Sequence, residues 1–172
     1  MNNNTNAAIV CVIISALLLT IFAASYATYS SNNELKYTVY SNFREHGRML
    51  KIYCDEAVYS INNGNYNDAI LFVDRITELM QEYHYNGIEL LGADYSKLYA
   101  VFHQFLPSLH NSMLAIRASL LAGNVTQSQV EFLADCGEAF FHIYKNTPES
   151  SWSGYYITDF DGIIIALGRL VG

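Results

Sequence analysis

Residues Ala7 to Thr28 read AAIVCVIISALLLTIFAASYAT, 22 positions without a charged side chain, and no charge occurs before Glu34. A helix of that length, rising ~1.5 Å per residue, covers the ~30 Å hydrocarbon core of a bilayer. Asn2, Asn3, Asn4 and Asn6 precede the run, and Tyr26 and Tyr29 follow it, where aromatic side chains favour the membrane interface. A secretory signal would carry a basic n-region and a shorter apolar stretch. Lys and Arg are missing ahead of this one, so the expectation is an anchor that is kept, although Ser25-Tyr26-Ala27 offers a cleavage point after Ala27.

Residues 1–30 therefore read as an N-terminal tail and transmembrane anchor, and residues 31–172 as one domain with length enough for a core. Charged residues make up only 15% of the chain, against ~25% in ordinary soluble domains. Lys36, Arg44, Arg48 and Lys51 outnumber Glu34 and Glu45 next to the apolar run, whereas residues 52–172 hold five basic and fourteen acidic side chains. An acidic domain repels phosphate backbones, so nucleic acid is not an expected partner. Lys36, Arg44 and Arg48 flank only the C-terminal side of the apolar run, and the positive-inside rule alone would put the domain in the cytoplasm. The low charge content, the abundance of Tyr, Asn and Ser, and two well-placed cysteines argue for an extracytoplasmic domain, which is the expectation here.

Beyond the apolar run, hydrophobic residues recur every three or four positions, which predicts an all-α fold. A first helix spans about 33–61 with Leu35, Val39, Phe43, His46, Leu50, Cys54, Ala57 and Ile61 inward, and Gly64 suits a left-handed cap after it. A second spans about 67–85 on Ile70, Val73, Ile76, Met80 and Tyr83, closed by Asn86-Gly87. A third spans about 94–121 on Leu98, Val101, Phe105, Leu109, Met113, Ile116 and Leu120, with Pro107 expected to kink or split it. A fourth starts at Thr126, which forms a capping-box pattern with Gln129, and a fifth covers about 155–170 on Ile157, Phe160, Ile164 and Leu167. One apolar stripe per helix and short connections predict an antiparallel bundle of four to five helices behind the anchor.

Gly64, Tyr66 and Ala69 in NNGNYNDAILFVDRITEL resemble the Gly-x-Tyr-x-x-Ala opening of a tetratricopeptide-type helix. The resemblance covers a single helix start, no second copy follows at the ~34-residue period of a solenoid, and it implies no function.

The chemistry-bearing residues are few. Cys54 and Cys136 fall on the apolar stripes of the first and fourth helices, where they could form a disulfide or remain buried thiols. Glu138 and His142 are four apart on one helix and, with His46, are the candidate ligands of a small molecule or metal. The Glu-x-x-His and His-Glu-x-x-His patterns of metal-binding bundles and metalloproteases are missing, as are the motifs of nucleotide binding and serine hydrolysis, so no cofactor is expected. Asp74, Glu78 and Glu82 form an acidic ridge at helical spacing, and Asp159 and Asp161 suit the start of the last helix. Asn124-Val125-Thr126 matches the glycosylation sequon, but Thr126 already serves as a cap. Fourteen tyrosines suit interfaces and membrane-proximal zones, although most are expected to rim the bundle core. The sequence thus points to a single-pass, non-catalytic bundle acting as an interaction, scaffold or accessory subunit, with the bilayer and a protein partner or a second copy as its contacts. A bundle that senses a small ligand or metal in its core is the second reading.

Overall fold

The computed structural model describes residues 3–85, 93–147 and 158–170, with the side chains of 3–13, 16, 83–85, 93–95 and 99 left aside. Among the described residues the regular structure is all helical: α1 (Asn3–Asn62), α2 (Tyr66–Tyr85), α3 (Ala93–Ala122), α4 (Gln127–Asn146) and α5 (Phe160–Gly168). The chain divides into two compact units, Met1–Tyr37 and Thr38–Gly172.

The first unit is helix with its described apolar side chains uncovered. Leu17, Leu18 and Leu19 are consecutive and 58%, 61% and 70% exposed, so apolar groups point away from the helix in every direction. Leu35, expected on the inward stripe, is also exposed, because it lies in this unit and not in the bundle. Among the described residues no helix is long and apolar enough to cross a membrane. Within the run 7–28, the side chains of 7–13 and 16 lie outside the described residues.

The second unit is the helical bundle. Its core is built from Val39, Tyr40, Phe43, Leu50, Cys54 and Ala57 of α1, Val73 and Ile76 of α2, Leu109, Met113 and Ile116 of α3, Leu133 and Phe140 of α4, and Ile163 and Leu167 of α5. Two junctions between helices share one device. Gly64 has φ 71, and the amides of Gly64 and Asn65 donate to the carbonyls of Ile61 and Ser60. Gly123 has φ 67, and the amides of Gly123 and Asn124 donate to Leu120 and Ser119. This paired bonding closes a helix through a left-handed residue that only glycine adopts without cost. The capping box at α4 is formed as well: Thr126 accepts from the Gln129 amide, and the Gln129 side chain accepts from the Thr126 amide.

Cross-helix pairs fix the packing order. Tyr53 stacks on Phe72 at 6.3 Å and His46 approaches Glu82 at 3.7 Å, so α1 and α2 run antiparallel. Lys51 meets Glu138 at 2.8 Å and Arg44 lies over the Tyr144 ring at 4.3 Å, so α1 and α4 are antiparallel too. Arg117 bridges α3 to Asp74 of α2 at 2.7 Å, and α5 packs on α4 and α3.

Three details depart from the sequence reading. Pro107 does not split α3, which runs through it. Phe102 is buried where Val101 and Phe105 are only half-buried, and Ile163 is buried where Ile164 is half-buried. The last helix begins at Phe160 with Asp159 as its N-cap, while 155–157 lie outside the described residues, as does Asn86-Gly87.

Candidate functional site

The α4–α5 junction is where polar side chains converge. On α4, Asp135, Glu138 and His142 recur at spacings of three and four and so share one face. The short helix α5 docks against that face. Its start is pinned by Asp159, whose Oδ1 accepts the Gly162 amide at 2.9 Å and whose Oδ2 lies 3.1 Å from His142 Nε2. The Gly162 amide and His142 together hold the Asp159 carboxyl below its ordinary value. Just ahead, the Thr158 amide donates to the Asn146 carbonyl and its hydroxyl to Asn146 Oδ1, both at 2.9 Å, and the Asn146 side chain donates in turn to the His142 carbonyl. The chain is therefore tied to the C-terminal end of α4 before α5 begins.

Gly162 leaves room there for two side chains. A Cβ at that position would land on Asp159 Oδ2 and come within 2.6 Å of His142 Nε2. Its absence lets the imidazole and the carboxylate meet directly over the first turn of α5.

Between the two helices lies an open cleft of ≈ 370 Å³. Asp135, Glu138 and His142 line one wall, and Asp159, Ile165 and Arg169 line the other. Lys51 of α1 reaches Glu138 and Asp55, both at 2.8 Å; burial opposes its charge, but the two carboxylates prevail and hold it above its usual value. A second, smaller pocket of ≈ 200 Å³ is apolar and lies between α2 and α3, beside Pro107 and His110.

The structure brings Glu138 and His142 to the same cleft but places His46 elsewhere, against Glu82. Burial lowers the His46 pKa, with Glu82 and Glu45 opposing. Among the described residues no group of three or more His, Cys, Asp or Glu is arranged to hold a metal. Among the described residues the buried polar side chains are Ser60 and Thr147, and the Thr147 hydroxyl donates to the Ile143 carbonyl.

Cys54 and Cys136 are both buried and are free thiols in the structure. Burial pushes both pKa values up, and for Cys136 the nearby Cys54 thiol adds to the rise. The packing beside them is tight, since a Cβ on Gly137 would lie 3.1 Å from Cys54 Cβ. The acidic ridge of α2 is not bare: Asp74 pairs with Arg117, Glu78 with Arg75, and Glu82 with His46.

Asp135, Asp159 and Arg169 complete the cleft without having been picked out as site residues. The α4 face was readable from its spacing, but nothing in a single helix says which neighbour will cover that face. Comparison of the chain with protein-family descriptions, curated proteins and solved structures found no match.

Proposed function

We propose that this protein is a membrane-anchored helical bundle that acts by contact with a protein partner, as a scaffold or accessory subunit, and not by catalysis. The observation that carries the reading is the uncovered apolar surface of the first unit. Ile14, Leu17, Leu18, Leu19, Ile21 and Phe22 are all at least half exposed. A helix that is apolar on every face belongs in hydrocarbon or in a helical assembly, because an exposed patch of that kind is costly in water. The sequence supports hydrocarbon, since the uncharged run of 22 residues matches the bilayer core. The bundle closes its own core and still leaves Tyr59, Leu71, Leu114 and Leu121 about half exposed or more, which suits docking of a partner or a second copy.

The extracytoplasmic side remains the proposed location of the bundle. Cys54 and Cys136 are too buried to report on it, so an exposed probe is needed. In a Cys11→Ala background, Gln127→Cys places a thiol at the exposed start of α4. Labelling by an impermeant maleimide in intact cells supports this reading. Labelling that occurs only after lysis puts the bundle in the cytoplasm, as the count of Lys36, Arg44 and Arg48 would have it.

A further inference from the structure

The register of α5 on α4 is set at one end by His142, which meets Asp159 and the space above Gly162. Seven residues back along α4 stands Asp135, and seven residues forward along α5 stands Arg169. Each step is about 10.5 Å of helix, so the antiparallel pair brings Asp135 and Arg169 to the same level at the far end of the cleft. Both line it and both are exposed. Among the described residues they form no ion pair with each other, standing further apart than the 4.0 Å that such a pair requires.

That is unusual in this bundle. Arg48 pairs with Glu45, Arg75 with Glu78 and Arg117 with Asp74, and Arg44 lies over the Tyr144 ring. Arg169 shares its cleft with three carboxylates, yet neither its side chain nor that of Asp135 has a hydrogen-bond or ionic partner among the described residues. The other cleft charges are committed: Glu138 to Lys51, and Asp159 to His142 and the Gly162 amide. What the cleft offers a ligand is one carboxylate and one guanidinium at the same level, with Ile165, Ala166 and Leu170 supplying an apolar strip.

We propose that this cleft binds a small zwitterion, an α-amino acid with an aliphatic side chain. Its ammonium group pairs with Asp135, its carboxylate with the Arg169 fork, and its side chain rests on Ile165 and Ala166. A simple anion would leave Asp135 repelling it, and a simple amine would leave Arg169 doing so. Only a ligand carrying both charges satisfies both groups, and charge-assisted bonds of this kind are the stronger class. The volume of ≈ 370 Å³ lies within the ~300–1,000 Å³ typical of small-ligand sites.

The test is calorimetric titration of the full chain in detergent micelles with leucine, valine and alanine as probes. Isoamylamine and isocaproate serve as leucine analogues that each lack one of the two charges. The expected result is saturable leucine binding, with each analogue and each of the variants Asp135→Asn and Arg169→Gln weaker by about tenfold or more. Both side chains are exposed, so the variants should keep the helical signal and melting temperature of the parent. The proposal is overturned if none of the three amino acids binds at millimolar concentration, or if leucine binds both variants as well as it binds the parent. It is equally overturned if leucine does not bind and each variant lowers the melting temperature, since Asp135 and Arg169 would then be partners of each other.

Discussion

His142 Nε2 lies 3.1 Å from Asp159 Oδ2, and the second oxygen of the same carboxyl receives the first-turn amide of α5 from Gly162 at 2.9 Å. One side chain thus caps a helix and ties it to its neighbour. Because these contacts favour the ionised carboxylate, the folded pKa of Asp159 lies below its unfolded value. The contribution to stability is then fully present above the unfolded value of about 3.9, and is lost as pH falls through the lower folded value. Hydrogen-exchange protection of the α5 amides should decline on acidification through that window. In Asp159→Ala, protection should already be reduced at neutral pH. Protection in the parent that does not change across that range would contradict the role given to this carboxylate.

Gly162→Ala puts a residue of better helix propensity into α5, and on propensity alone should stabilise by about 0.5–1 kcal/mol. The new Cβ would occupy the space where Asp159 and His142 meet. We expect the substitution to displace both side chains and to lower α5 protection as Asp159→Ala does, despite the gain in propensity. A rise in melting temperature with α5 protection intact would show that the junction has more room than the structure gives it.

Phe140 is 1% exposed at the centre of the core, and Leu71 is 63% exposed on α2. Chemical denaturation should read a loss of about 3–5 kcal/mol for Phe140→Ala, from lost transfer free energy and the cavity left behind. Leu71→Ala should fall within about 0.5 kcal/mol of the parent. Similar losses for the two would mean that the bundle packs differently.

The thiols of Cys54 and Cys136 are fully buried, and both are held in the protonated, unreactive form by that burial. In a Cys11→Ala background, the folded protein should resist maleimide. In denaturant without reductant, two maleimides should add, one to each free thiol of the structure. Addition only after reduction would show that a disulfide joins the pair.

Local signals carried most of what the sequence disclosed. Thr126 with Gln129, and Gly64 and Gly123 after their helices, announce caps whose geometry is set within a few residues. Apolar spacing located the core helices and residues such as Phe43, Leu50, Val73, Ile76 and Met113. It failed where the phase of a stripe decides between neighbours, as at Phe102 against Val101 and Phe105, or Ile163 against Ile164. A helix of 3.6 residues per turn drifts relative to any repeated pattern, and the packing partner settles which residue turns inward. Tyr40 is 2% exposed, so this amphipathic ring lies in the core, which composition alone does not show. The site was least legible, because it depends on register between helices. Nothing local to Asp159 shows that it will meet His142, and nothing near His46 shows that it will pair with Glu82 and stay apart from the cleft.

The most direct measurement of the central claim is alkaline carbonate extraction of membranes from cells expressing the full chain, beside a variant carrying Leu18→Arg and Phe22→Arg. Each arginine at mid-bilayer costs about 2.5–3.5 kcal/mol on insertion scales, enough together to prevent stable insertion. The account predicts that the parent stays in the membrane pellet and the variant is released. Release of the parent by carbonate would contradict the membrane anchor, and the exposed leucines of the first unit would then need a protein to cover them.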